Sequence, residues 1–82
     1  MKFSYDPQYN IAYIRFRDKS SEVVSIKISD EFIVDLSPDG TVYGIELLNA
    51  NEQLLQGDNG KFLFYNEHSG QQVDVSIVVA SD

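Results

Sequence analysis

Apolar and polar residues alternate with a period of two along most of the chain, and that period predicts β-strands. Phe3 and Tyr5 alternate with Lys2, Ser4 and Asp6. The run stops at Asp6-Pro7, because proline fixes φ and pushes the residue before it into an extended state. Ala12, Ile14 and Phe16 then alternate with Tyr13, Arg15 and Arg17. After the polar turn Asp18-Lys19-Ser20-Ser21, Val24, Ile26 and Ile28 line one face of a third run, with Ser25 and Lys27 opposite. Phe32, Val34 and Leu36 form one arm, and Tyr43, Ile45 and Leu47 another, on either side of Ser37-Pro38-Asp39-Gly40. Proline pre-sets φ at the first central position of such a turn, and glycine accepts the positive φ that closes it. Residues 32–48 are therefore expected to form one hairpin.

The period changes after Leu48. Asn49 to Gln56 contains Leu54-Leu55 and good helix formers, with Asn49 or Asn51 as N-caps, so one or two helical turns are expected near residues 50–56. Gly57-Asp58-Asn59-Gly60 ends them. Lys61 to Glu67 is an aromatic-rich strand, His68-Ser69-Gly70-Gln71 a turn, and Val73, Val75, Ile77 and Val79 a last strand. Val75 to Ala80 carries no charge, and such a segment left on an open edge pairs with other chains. Residues 73–79 are thus expected to pair on both sides, within the sheet or across a two-fold axis. The fold class is mainly β: an antiparallel meander, small barrel or sandwich of six to seven short strands, in one domain spanning residues 1–82.

Composition narrows the picture. A chain of 82 residues buries only about 60% of its unfolded surface, so it needs an efficient core, a staple or a partner. There is no cysteine, which removes disulfides and cysteine-based zinc sites and fits a cytoplasmic location. The N-terminal residues hold no apolar signal core, and no run approaches the ~20 apolar residues of a membrane span. The net charge of −7 is uneven. Residues 1–28 carry five basic side chains against three acidic ones, whereas residues 29–82 carry Lys61 against ten acidic ones. A surface so acidic repels phosphate backbones and anionic lipid and attracts a basic protein, so neither nucleic acid nor membrane is an expected partner.

Candidate chemistry is sparse. Asp35 to Gly40 followed by Glu46 matches the calcium-loop pattern, with Val42 at the apolar eighth position. That loop requires flanking helices, and here both flanks alternate as strands, so the hairpin turn accounts for Pro38-Asp39-Gly40. His68 is the only histidine, and Glu67 beside it points to the opposite face of a strand, which leaves a solvated turn residue. No Gly-x-Ser-x-Gly elbow or phosphate loop occurs. Asp18, Glu22, Asp30 and Glu31 could act as acid and base only if the fold brought them together. Tyr13, Arg15 and Arg17 share a strand face, an interleaving that can bind single-stranded nucleic acid. Against the acidic remainder it is expected to be a solvent face on which Tyr13 stacks with an arginine. No catalytic, cofactor-binding or metal-ligating residue is assigned, and no cofactor is expected.

Two stretches carry a family resemblance. Ser4-Tyr5-Asp6-Pro7 leading into Ala12-Tyr13-Ile14-Arg15-Phe16 is similar to the opening signature of the domain of unknown function family numbered 2283, a group of small prokaryotic proteins. Ile33-Val34-Asp35-Leu36, Asp39-Gly40 and Val42 to Ala50 are similar to its second signature. The resemblance covers about residues 3–50. Asn10-Ile11 departs from it, since an acidic residue and a small one are usual there. The resemblance assigns the aspartates of the calcium-like stretch to the family's hairpin and implies no catalytic residue. Members encoded beside small toxin-like proteins imply an antitoxin or regulatory role.

The expected function is a non-enzymatic protein-interaction module, antitoxin-like or a regulatory partner of a basic protein, assembled as a homodimer. The alternative is a small-ligand or cation-binding β domain that uses a barrel interior or the Asp35–Glu46 hairpin.

Overall fold

The computed structural model describes residues 1–20, 22–55 and 60–77. Seven antiparallel strands and one short helix follow in order: β1 (Lys2–Asp6), β2 (Ile11–Arg15), β3 (Val24–Ser29), β4 (Phe32–Leu36), β5 (Val42–Leu48), α1 (Ala50–Leu55), β6 (Lys61–Tyr65) and β7 (Gln72–Ser76). The mainly β fold is thus as the alternation predicts, in open sheets. Among the described residues the strands close no barrel, so they offer no barrel interior for a small ligand. Contacts divide the chain into two compact units, Met1–Ala50 and Asn51–Asp82. Among the described residues no helix is long and apolar enough to cross a membrane.

The first unit is a five-stranded sheet in the order β1-β2-β5-β4-β3. Two local connections, β1–β2 and β3–β4–β5, are joined where β2 pairs with β5. The register sorts the side chains. Phe3, Ile14, Ile45, Val34 and Ile26 form one unbroken apolar row across all five strands. Lys2, Arg15, Gly44, Asp35 and Ser25 form a row on the opposite face, with Ser4, Tyr13, Glu46, Ile33 and Lys27 beside it. One face is therefore apolar and the other polar, as strand pleating requires.

Each turn is held by its own side chains. In the β1–β2 turn the Asp6 carboxylate accepts from the amides of Gln8 and Tyr9. Asn10 closes that turn with φ at 60°, a left-handed conformation that asparagine tolerates better than most residues. Its side-chain amide donates to Asn49 (3.2 Å) and its carbonyl accepts from the Ala50 amide (3.0 Å). The residue that departs from the family pattern therefore ties the first hairpin to the end of β5. In the β4–β5 turn Gly40 has φ at 92°, and the Asp39 carboxylate accepts from the Thr41 amide and the Ser37 hydroxyl. The Ser37 hydroxyl bond, followed by the bonds to Thr41, holds the Asp39 carboxyl down at about 2.

Two register slips matter. One falls between Lys27 and Ser29, leaving Ile28 as an exposed bulge. The other falls between Asp35 and Leu36, where Tyr43 of β5 is the extra residue. Tyr43 is buried, its carbonyl accepts from the amides of Phe16 and Arg17, and its hydroxyl bonds that of Ser20. The bulge thus anchors the segment that leaves β2.

In the second unit β6 and β7 form a two-stranded sheet. Asn66 accepts from the amides of His68 and Ser69 across the connecting turn. At the open end Ile77 donates to the Gly60 carbonyl at 2.7 Å. The last strand is not central in a sheet: among the described residues β7 pairs with β6 alone. Alternation marks the strand but not its neighbours. Val78, Val79, Ala80, Ser21 and the Gly57-Asp58-Asn59 break lie outside the described residues.

Gly60 has φ at 76°, and a Cβ there would stand 2.8 Å from the Ile77 carbonyl oxygen. Gly60→Ala should therefore open this end of the hairpin. Hydrogen exchange at the Ile77 amide should quicken at least severalfold, consistent with a local cost of about 1 kcal/mol. Amides of β1 to β5 should not change.

Candidate functional site

The polar face of the five-stranded sheet carries the chain's most organised group of polar side chains. Its centre is Asp35 in β4, the one charged residue buried among those described. A buried carboxylate is costly unless it is hydrogen-bonded and paired. Asp35 meets both conditions. The Ser25 hydroxyl of β3 donates to Oδ1 at 2.7 Å. The Tyr13 hydroxyl of β2 donates to Oδ2 at 3.0 Å, and the Lys19 ammonium stands 3.0 Å from the same oxygen.

Tyr13 and Asp35 are not on adjacent strands, because β5 runs between them. The phenol reaches across β5 over Gly44. A Cβ on Gly44 would lie 2.5 Å from the Tyr13 hydroxyl oxygen and 2.6 Å from the Ile14 carbonyl oxygen. Only a residue without a side chain leaves that passage open. Lys19 then lies over the Tyr13 ring, 5.1 Å from its centre, and closes the group from the solvent side.

The charge states follow from these contacts. Burial pushes the Asp35 carboxyl up, but the bonds from Ser25, Lys19 and Tyr13 and the Lys19 charge outweigh it and hold the group below its ordinary value of 3.8. Lys19 is raised, chiefly by its bond to Asp35. Tyr13 is raised by burial and by the neighbouring carboxylate. All three favour the ion pair plus neutral phenol at neutral pH. The phenol is a donor to a carboxylate and is held away from ionisation, which suits a structural clasp rather than proton transfer.

The residues singled out from the sequence fall elsewhere or serve differently. The cation on Tyr13 is Lys19 and not an arginine, because the loop after β2 folds back over the ring. Arg15 instead pairs with exposed Asp18 at 3.3 Å. Arg17 lies beyond the end of β2 and is exposed. Asp39 sits at the exposed tip of its hairpin while both oxygens of Asp35 are engaged in the sheet. Among the described residues no three acidic or histidine side chains are grouped as a metal site. Asp18 and Glu22 lie toward the Arg15 end of the strands, whereas Asp30 and Glu31 lie in the turn at the other end, so the four do not converge. His68 is exposed in the β6–β7 turn.

Sequence reasoning passed over Ser25, Lys19 and Gly44 as partners of Asp35. Gly44 was the available signal, since a glycine inside a strand marks a bulge or a close approach.

A small antiparallel β domain with a buried ion-paired clasp is the class these features define. The family profile described as Protein of unknown function (DUF2283) matches residues 2–51, more than half of the chain, and the chain belongs to that family. Neither the curated proteins nor the solved structures contain a match. Tyr13, Asp35 and Gly44 all lie within the two stretches that carry the family signature.

Two measurements check the clasp. Gly44→Ala should lower stability by roughly 2 kcal/mol or more, since overpacking costs about 1–3 kcal/mol and the Ile14 carbonyl cannot rotate away. Asp35→Asn should cost about 1.5–3 kcal/mol at pH 7, the range for hydrogen bonds to a charged group. Because the folded-state carboxyl is depressed, its contribution is present above the ordinary value of 3.8 and is lost as pH falls through the lower folded value. Acid denaturation profiles of wild type and Asp35→Asn should accordingly converge below about pH 4.

Proposed function

We propose that this chain is a non-enzymatic protein-interaction module that assembles as a homodimer. The observation that carries the reading is the apolar face of the β6–β7 hairpin. Phe62 pairs across the strands with Val75, and Phe64 with Val73. These four side chains remain 49%, 60%, 50% and 58% exposed, taking them in the order Phe62, Phe64, Val75, Val73. A two-stranded sheet is marginally stable in water unless its apolar face is covered. Completing the burial of such side chains contributes up to ~1.5–3 kcal/mol each, a large amount beside the ~5–15 kcal/mol of a whole domain.

A second copy of the chain is the occupant that fits. The face is uncharged, so two acidic chains can meet there without placing carboxylates opposite one another. It is also regular, with an aromatic opposite a valine in both pairs, and a two-fold contact needs a surface that complements itself. Dimerisation through this face leaves exposed acidic residues such as Asp74, on the opposite face of β7, outside the contact. That charge supports the finer reading, a regulatory or antitoxin-like partner of a basic protein, through steering and charge complementarity.

Light scattering on size-exclusion fractions tests the assembly. The wild type should elute at twice the chain mass of 9.3 kDa. Phe64→Lys with Val73→Lys should elute at the single-chain mass while retaining the amide spectrum of β1 to β5. A monomeric wild type at high micromolar concentration, or a variant still dimeric, would overturn the reading. Where a basic protein is encoded beside the chain, co-expression should give a complex that dissociates as salt is raised.

A further inference from the structure

Three of the chain's six basic side chains, Lys2, Arg15 and Lys19, line one cavity of about 340 Å³ together with Ser4 and Tyr13. Among the described residues its lining contains no carboxylate, in a protein whose net charge is −7. The cavity occupies the β1–β2 corner of the polar face. There Lys2 stands directly opposite Arg15, and Ser4 directly opposite Tyr13. Like charges placed opposite each other on antiparallel strands repel. The fold holds that pair at the sheet edge, where two charges could otherwise have been spread apart.

The neighbouring acids neutralise the corner only in part. Asp18 engages Arg15 from an exposed position, Asp35 holds Lys19 from below, and Glu46 stands opposite Tyr13 on the β5 side. Lys2 has no carboxylate partner among the described residues. The Ser4 hydroxyl makes only a long contact, 3.5 Å, to the Tyr13 carbonyl. An ammonium, a guanidinium and a hydroxyl therefore face one space from different directions.

We propose that this corner binds a small organic phosphate, with the phosphate group between Lys2, Arg15 and Ser4. The donor set favours phosphate over carboxylate. Guanidinium offers two parallel N–H groups, and an ammonium and a hydroxyl from other directions match the remaining oxygens of a tetrahedral dianion better than a planar group with two. The cavity is open to solvent on one side, and its volume leaves room beyond the anion itself for a short organic group beside Tyr13. The acidic remainder is compatible with such a ligand. Screening limits its field to about 8 Å in physiological salt, so a single phosphate is read by the corner while a long polyanion meets the whole negative surface. Lys19 positions Tyr13 as a wall and stays paired with Asp35. The site lies in the first unit and does not depend on the dimer face of the second.

Titration of the full chain with glycerol 3-phosphate, inorganic phosphate and succinate, followed calorimetrically and by amide shifts, tests the site. Glycerol 3-phosphate should bind saturably, with shifts centred on residues 2–4 and 13–19. Lys2→Gln and Arg15→Gln should each weaken binding about tenfold, the scale of one charge-assisted contact. Lys2→Gln should keep or raise the melting temperature, since it removes the repulsion, so loss of binding in it cannot be loss of fold. Equal binding of inorganic phosphate would support the site and identify the free ion as sufficient. Equal binding of succinate, no saturation at millimolar ligand, or unchanged affinity in both variants would overturn the proposal.

Discussion

A single buried carboxylate governs the first unit. Asp35 is taken out of water in the middle of a small sheet, a position that costs several kcal/mol unless every lone pair is answered. The answers come from three directions in the chain: Ser25 on β3, Tyr13 on β2 and Lys19 on the loop that follows β2. Satisfying one charge thus ties together the two halves of the sheet, in addition to the β2–β5 ladder and the bonds of Asn10 and Tyr43. Gly44 belongs to the same constraint, because the Tyr13 phenol must pass over β5 to arrive. The Tyr43 bulge next to it has a related effect, since its carbonyl and hydroxyl hold the segment that delivers Lys19.

The two faces of the sheet obey different rules. The polar face is internally complete around Asp35, and its surplus positive charge gathers at the Lys2–Arg15 corner. The apolar row from Phe3 to Ile26 is half-buried in its middle and exposed at both edge strands. No large side chain among the described residues is fully buried. A chain of this size without disulfides has few other sources of stability. A buried hydrogen-bonded clasp joins the strands of the sheet, while the paired apolar side chains of the β6–β7 hairpin stand exposed.

Much of this was legible in the chain. Alternation located six strands and the aromatic run after Lys61 the other, Pro38-Asp39-Gly40 located the β4–β5 turn, and the loss of period after Leu48 located the helix. The family signature was legible as well, as two hairpin stretches in the right order. The calcium-like spacing from Asp35 to Glu46 was legible too, but it described a different object. The aspartate at its start belongs to a clasp within the sheet, and the one at its centre to a turn.

The sequence by itself determined which residues form strands, which side of its own strand each residue faces, where the turns fall and how unevenly charge is distributed. These are local properties, set by φ preferences, pleating and composition. The tertiary structure alone decided that β2 lies beside β5, that β6 and β7 pair only with each other among the described residues, and that Lys2 stands opposite Arg15. Alternation says nothing about which strand comes next in a sheet, because every antiparallel neighbour satisfies the same period. The partners of Asp35 and the basic corner depend on strand order and register, and those are decided by contacts between residues far apart in the chain.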